Sequence, residues 1–377
     1  MLLGDFEIFR PTFETSQEEA LDWLVDAHTK SESAKGLNDE EIALFRKAIK
    51  EKLWHVGCKP DRIEKRGHVL ADFLHRDWDK MEVYKLNENP KGKDLSARVK
   101  IFEEHVDRVF QNFYPEKSPA PEDLIHVSCT GYISPSGAQK IVSKRNWGNR
   151  TTVTHAYHMG CYGSIPALRM AAGFLNSEKE KQRTDIVHTE ICGIHINPSS
   201  HQSDQLVSQS LFADGFIKYS AFRDAEKPHF VVKALQEEII PDSLTAMTWN
   251  VVDWGNQISL AKEVPVLIAR SLKGYLKRLC ERADVDEEVL QKAIFAIHPG
   301  GPKILCQIQE LLELSDKQMH YSFEILKKYG NMSSATLPHI WQAVLEDPEI
   351  KGTPIVSLAF GPGLSISGNF MEKVCGS

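Results

Sequence analysis

The spacing of apolar residues changes near residue 120. Before that point they recur three and four positions apart, the period of a helix with one buried face. From Ser16 to Lys30 the pattern falls on Ala20, Leu21, Trp23, Leu24 and Ala27. Asn38 followed by Glu41 predicts a capped second helix carrying Ile42, Leu44, Phe45 and Ile49. Ala97 to Phe113 predicts a third. Polar or Pro-rich breaks at 87–93 and 118–121 separate these runs. After residue 120, short β-rich runs alternate with helix-like ones. Strands are predicted at 124–129, 185–192, 216–222, 295–297 and 355–359. Helices are predicted at 165–175, 264–282, 303–314 and 333–345. Alternation of this kind predicts an α/β fold with buried strands.

Composition narrows the partners. The chain has 377 residues, enough for two or three domains or two fused halves sharing one core. With 45 basic against 52 acidic residues, it lacks the cationic surplus of a nucleic-acid binder. No apolar run approaches the ~18 residues of a membrane span, and the start carries no signal-peptide pattern. Seven cysteines stand singly at 58, 129, 161, 192, 280, 306 and 375. That spacing predicts no disulfide framework and suits a reducing cytoplasm.

Four segments carry candidate chemistry. In His158-Met159-Gly160-Cys161-Tyr162-Gly163-Ser164-Ile165-Pro166, a cysteine opens a helix of small residues. Backbone N–H groups and the dipole at a helix start favour thiolate, so Cys161 is a candidate nucleophile. The plain alternative is a small cysteine filling core space. His298 closes the strand before Pro299-Gly300-Gly301-Pro302, where α/β folds expose working side chains. Asn331, in Tyr329-Gly330-Asn331-Met332-Ser333-Ser334-Ala335, is a candidate donor or simply a helix cap. In Phe360-Gly361-Pro362-Gly363, the glycines form a tight turn or supply a backbone N–H. Two sets, His155/His158/Cys161 and His188/Glu190/Cys192/His195, have metal-like spacing without a paired signature, so no metal is expected. No glycine motif for nucleotide phosphates occurs.

Taken together, these segments and Leu211-Phe212-Ala213-Asp214-Gly215 resemble, in order and rough spacing, the type III polyketide synthases. These chalcone synthase relatives belong to the thiolase-fold condensing enzymes. The resemblance runs from about residue 120 to 366. It implies a five-layered αβαβα fold of two similar halves, 1–225 carrying the cysteine and 226–377 carrying the histidine and asparagine. It also implies a cytoplasmic homodimer. Cys161 would accept an acyl group from a thioester, and His298 would help hold it as thiolate. His298 and Asn331 would stabilise the enolate formed when a malonyl thioester loses CO₂. Phe212 would be a gate between entry tunnel and cavity. CoA or carrier-protein thioesters would be substrates, with no metal or organic cofactor.

The cavity positions depart from the chalcone synthase pattern. Trp249 falls where a small glycine is usual, and Ile258 where a second gate phenylalanine is usual. His195 and Cys192 replace threonines. Ser134 replaces a methionine that reaches the partner subunit's cavity. Gly361 and Gly363 keep the family's turn. Cations around Cys58 are fewer than usual, with Lys59, Arg62, Lys65 and Arg66 nearby. Two rival expectations follow: an enzyme joining two carrier-bound β-ketoacyl chains, and a degenerate binding protein that kept the fold.

Overall fold

The computed structural model describes residues 1–375. The chain opens with strands β1 (Leu2–Phe9) and β2 (Phe13–Ser16), then helices α1 (Gln17–Ser33) and α2 (Asp39–Val56). Both helices start at a reciprocal capping box, Ser16 with Glu19 and Asn38 with Glu41. Strand β3 (Lys65–His68) pairs with β2, and helix α3 (Leu95–Phe113) follows. Next come β4 (Asp123–Ser128), α4 (Gly137–Lys144), β5 (Thr152–Tyr157), α5 (Ser164–Ser177), β6 (Arg183–Glu190), α6 (Ser203–Leu211) and β7 (Gly215–Phe222). The remainder contains β8 (His229–Ile239), the hairpin β9 (Met247–Val252) and β10 (Gly255–Leu260), α7 (Val264–Ala283) and β11 (Ile294–Ile297). It ends with α8 (Pro302–Leu311), α9 (Asp316–Tyr329), α10 (Thr336–Glu346), β12 (Pro354–Gly361) and β13 (Ser365–Val374).

The topology repeats itself. β4 runs parallel to β6, β6 antiparallel to β7, and β7 antiparallel to β1. In the same order, β11 runs parallel to β12, β12 antiparallel to β13, and β13 antiparallel to β8. The two sets join because β1 pairs with both β7 and β8, giving a continuous order β11-β12-β13-β8-β1-β7-β6-β4-β5.

Strand alternation builds the layers. Ile125 and Val127 of β4, with Ile294 and Ala296 of β11, share one core with Ile165 and Leu168 of α5 and Leu337 and Trp341 of α10. Leu124 faces the opposite way, into a core with Phe102 and Val106 of α3. Phe295 and Ile297 likewise face a separate core with Ile268 and Leu272 of α7. Helices α5 and α10 therefore lie between the strand sets, and each contacts strands of both. Outer helices cover the remaining faces. This is the five-layered αβαβα arrangement of the thiolase fold. The segments that begin the two central helices carry Cys161 and Asn331.

Candidate active site

Cys161 sits in a one-turn 3₁₀ segment, Gly160–Tyr162, immediately before α5 rather than in the helix itself. Gly160 has a φ of +76°, and a Cβ there would meet Pro362 Cδ at 2.5 Å, so the turn requires glycine. Two spaces meet at the cysteine. The inner one, about 770 Å³ with its open mouth, is lined by Cys129, Cys192, His195, Trp249 and Ser333 among others. The outer one, about 1120 Å³ on the same measure, is lined by His298, Asn331, Leu211, Val264 and Lys303 among others. Cys161, Phe212, Met247 and Ile258 line both. Phe212 and Ile258 thus stand at the boundary between the two spaces.

The three candidate catalytic side chains line the outer space together. His298 follows β11, is buried, and neither ring nitrogen has a protein partner. Burial pushes its pKa down to about 3, so the ring is neutral. Cys161 is pushed up to about 12 by burial, although hydrogen bonds from Ser333 and Asn331 to the charged sulfur act the other way. Its Sγ lies 3.9 Å from Ser333 Oγ. Burial thus favours the neutral thiol and the neutral imidazole over a thiolate–imidazolium pair.

Asn331 uses its carboxamide oxygen internally: Oδ1 accepts from the Ser333 N–H at 2.8 Å. The cap-like geometry and the donor role therefore coexist, because the oxygen is fixed and the Nδ2 donor is turned toward the sulfur. Ser333 itself has a φ of +49°, in the left-handed region, which places its hydroxyl at Cys161.

Trp249 and Ile258 face each other across the β9–β10 hairpin. The Trp249 indole N–H donates to the Cys129 carbonyl at 2.7 Å, and Asn256 Nδ2 donates to the same oxygen at 3.1 Å. His195 accepts the Asn256 N–H at Nδ1, so its Nε2–H donates to the Thr130 carbonyl at 2.7 Å. The hairpin is thereby fixed over the inner space. Cys192 lines that space as well.

Three sequence-derived candidates sit elsewhere. Ser134 is exposed and lines neither space of its own chain. The Gly363 N–H donates to the Met247 carbonyl at 3.3 Å, so it is not free for a ligand. Gly361 serves close packing: a Cβ there would meet Tyr162 Cδ1 at 2.1 Å. The metal-like sets are spoken for by hydrogen bonds. His188 bonds Ser334 and Tyr219, and Glu190 accepts from Ser334, Thr130 and the Cys129 N–H. Sequence reasoning missed Cys129, Asn256 and Met247 as wall residues. Only Cys129, at the C-terminal end of β4, carried a positional signal.

Comparison with known proteins agrees with this geometry. The family model "Chalcone and stilbene synthases, C-terminal domain" matches residues 231–375. "Type III polyketide synthase C" of Arabidopsis thaliana is 26% identical over 353 residues, covering 89% of each chain. "Probable polyketide synthase 1" of Dictyostelium discoideum is 29% identical over 257 residues, 67% of this chain. The match occupies only 8% of that much longer protein. Among solved structures, the C-terminal type III polyketide synthase domain of "Steely1", a type I/III hybrid from Dictyostelium, superposes with a TM-score of 0.81. The identity is 23% and the coverage 99% of both chains, a likeness of fold. These likenesses, with a cysteine, a histidine and an asparagine on one cavity, make the chain similar to the type III polyketide synthases and support that family assignment.

Proposed function

We propose that this protein is an acyltransferase that loads an acyl thioester on Cys161 and extends it by decarboxylative Claisen condensation with a malonyl thioester. The observation that carries the reading is the placement of Cys161, His298 and Asn331 on one apolar cavity, with both His298 nitrogens unpartnered. Burial costs a polar group its hydration, so two orphaned nitrogens on the cavity that Cys161 also lines call for a ligand.

Cys161 Sγ attacks the acyl carbonyl, the carrier thiol leaves with a proton, and an acyl-enzyme forms. A malonyl thioester then loses CO₂. Its carbonyl oxygen becomes an enolate oxygen, which accepts from a His298 ring N–H and from Asn331 Nδ2. Neutral imidazole suits this role, since it donates without a counter-charge. The enolate carbon attacks the acyl carbonyl, the C–S bond to Cys161 breaks, and the sulfur takes up a proton. The thioester supplies the activated acyl group and CO₂ loss supplies the carbanion, so the chemistry calls on no cofactor. Apolar walls around Phe212, Met247 and Ile258 favour departure of the charged carboxylate.

Trp249 occupies space at the inner cavity, which favours short polyketide chains. Among the described residues Lys303 is the one cation lining the outer space. CoA thioesters and carrier-protein thioesters are therefore both donors to be tested. We also read the protein as a cytoplasmic homodimer.

Intact-protein mass spectrometry after incubation with acyl-CoA and acyl-carrier-protein panels tests the reading, wild type beside Cys161→Ala. An adduct on the wild type alone, followed by CO₂ release with malonyl thioester, is expected. An adduct that persists in Cys161→Ala removes the proposed nucleophile. No adduct from any donor favours the degenerate-fold alternative.

A further inference from the structure

The C-terminal end of α6 leaves its last carbonyls without helical partners, as every helix does. Each finds a partner here. Asn331 donates its backbone N–H to the Leu211 carbonyl at 3.0 Å. Gln17 Nε2 donates to the Ser210 carbonyl at 2.7 Å. The other two, Gln209 and Phe212, both accept from Arg66 Nη1 at 2.8 Å.

Arg66 is an unusual choice for this task. It is 3% exposed and lies on β3, more than 140 residues from the carbonyls it holds. Among the described residues no carboxylate pairs with it, and its Nε has no partner. The nearby Asp214 spends its oxygens on the N–H groups of Gly193 and Val69. Burial pushes the guanidinium down to about 10. A buried charge with a carboxylate near it but none bonded to it is costly and persists where its geometry does something else.

That geometry reaches both functional segments. The Arg66 methylenes lie against Gly330: a Cβ there would meet Cγ at 3.2 Å and Cδ at 3.3 Å. Gly330 has a φ of +71° and immediately precedes Asn331. The Ala213 N–H donates to the Asn331 carbonyl at 2.8 Å, which completes a parallel bridge between Phe212 and Asn331. Arg66 thus holds the Phe212 peptide by hydrogen bonds and the approach to Asn331 by packing.

We propose that Arg66 is a positioning residue for the decarboxylative half-reaction, fixing the Phe212 ring and the Asn331 carboxamide as one unit beside Cys161. The proposal rests on the condensing function above. Acyl loading needs Cys161, whose sulfur Ser333 reaches as well as Asn331, so it depends less on where Asn331 points. Decarboxylation depends on that donor, where an error of about 1 Å costs on the order of 100-fold.

The test compares Arg66→Met and Arg66→Lys with wild type, reading acyl loading by intact mass and CO₂ release from a malonyl thioester separately. Arg66→Met is expected to load within about twofold of wild type and to lose about 100-fold in CO₂ release. Arg66→Lys, which keeps charge but not the planar fork, is expected to recover about tenfold of that loss. A merely structural arginine would lower both steps by one factor; an unchanged ratio of loading to decarboxylation overturns the proposal. So does wild-type decarboxylation in Arg66→Met. If that variant does not fold, the same ratio in Arg66→Lys decides. Failure of the function itself appears in the wild type, whereas failure of this inference appears only in the variants.

Discussion

Phe212 and Asn331 are joined through their backbones, not their side chains. They form an isolated parallel bridge, with Asn331 donating to Leu211 and Ala213 donating to Asn331. The backbones that carry the Phe212 ring and the Asn331 carboxamide therefore cannot shift independently. A side-chain change at Asn331 leaves this bridge intact and removes only the donor.

Asn331→Asp keeps an oxygen for the Ser333 N–H and replaces the Nδ2 donor with an anion. We expect CO₂ release from a malonyl thioester to fall about 100- to 1000-fold, with Cys161 still acylated. Radiolabelled CO₂ capture beside intact mass measures both. Equal loss of acylation would argue against a separate donor role.

Cys161 is pushed up to about 12 and His298 down to about 3. The free enzyme therefore holds little thiolate at neutral pH. Alkylation of Cys161 by iodoacetamide is expected to speed up about tenfold per pH unit between pH 7 and 9, as far as the fold survives. A plateau already reached below pH 7 would instead show a standing thiolate–imidazolium pair.

Buried imidazoles predict acid sensitivity, and burial holds His68 and His188 well below the usual range as well. Burial lowers His28 to about 4, and His126, His195, His298 and His339 to about 3. The unfolded chain binds these protons near pH 6.5 and the folded chain does not. Their contribution is thus fully present above pH 6.5 and lost as pH falls through the folded values. At pH 5 each costs on the order of 2 kcal/mol. Thermal melts at pH 7.5, 6 and 5 should show a steep drop in Tm; a flat profile would contradict neutral buried rings.

Trp249 bounds the inner space with a ring anchored at the Cys129 carbonyl. Trp249→Gly is expected to shift products toward longer chains by one or more malonyl-derived units. Trp249→Phe keeps most of the ring and loses only the anchor, so a smaller shift is expected. Product masses from a shared starter decide; identical products from all three enzymes would place the size limit elsewhere.

The sequence was informative where periodicity and capping are local. Helices α1, α2 and α3, with the Asn38 capping box, lie close to the predicted runs, as do strands β4, β6, β7, β11 and β12. Strand β1 was missed because a register shift between Gly4 and Glu7, with Asp5 at a φ of +52°, breaks its alternation. Strand β8 was missed because Lys233-Ala234-Leu235-Gln236-Glu237-Glu238 reads as a helix, and pairing with β13 overrides that propensity. Cys161, His298 and Asn331 stood out through their motifs. The neutral state of the first two did not, because desolvation depends on walls supplied by distant segments. Arg66 left no trace of its role, since it acts on backbone carbonyls, which any sequence carries.

The place of β1 in the sheet also bears on the order of folding. A ribosome delivers Leu3 well before its partners Ala221 and Phe230, which lie about 220 residues later. The junction of the two strand sets therefore cannot close until most of the chain has emerged. Until then β1 presents two unpaired edges, the kind of surface that other chains capture. Substitutions that weaken the pairing of β1 are expected to act on the yield of folded protein before they act on catalysis.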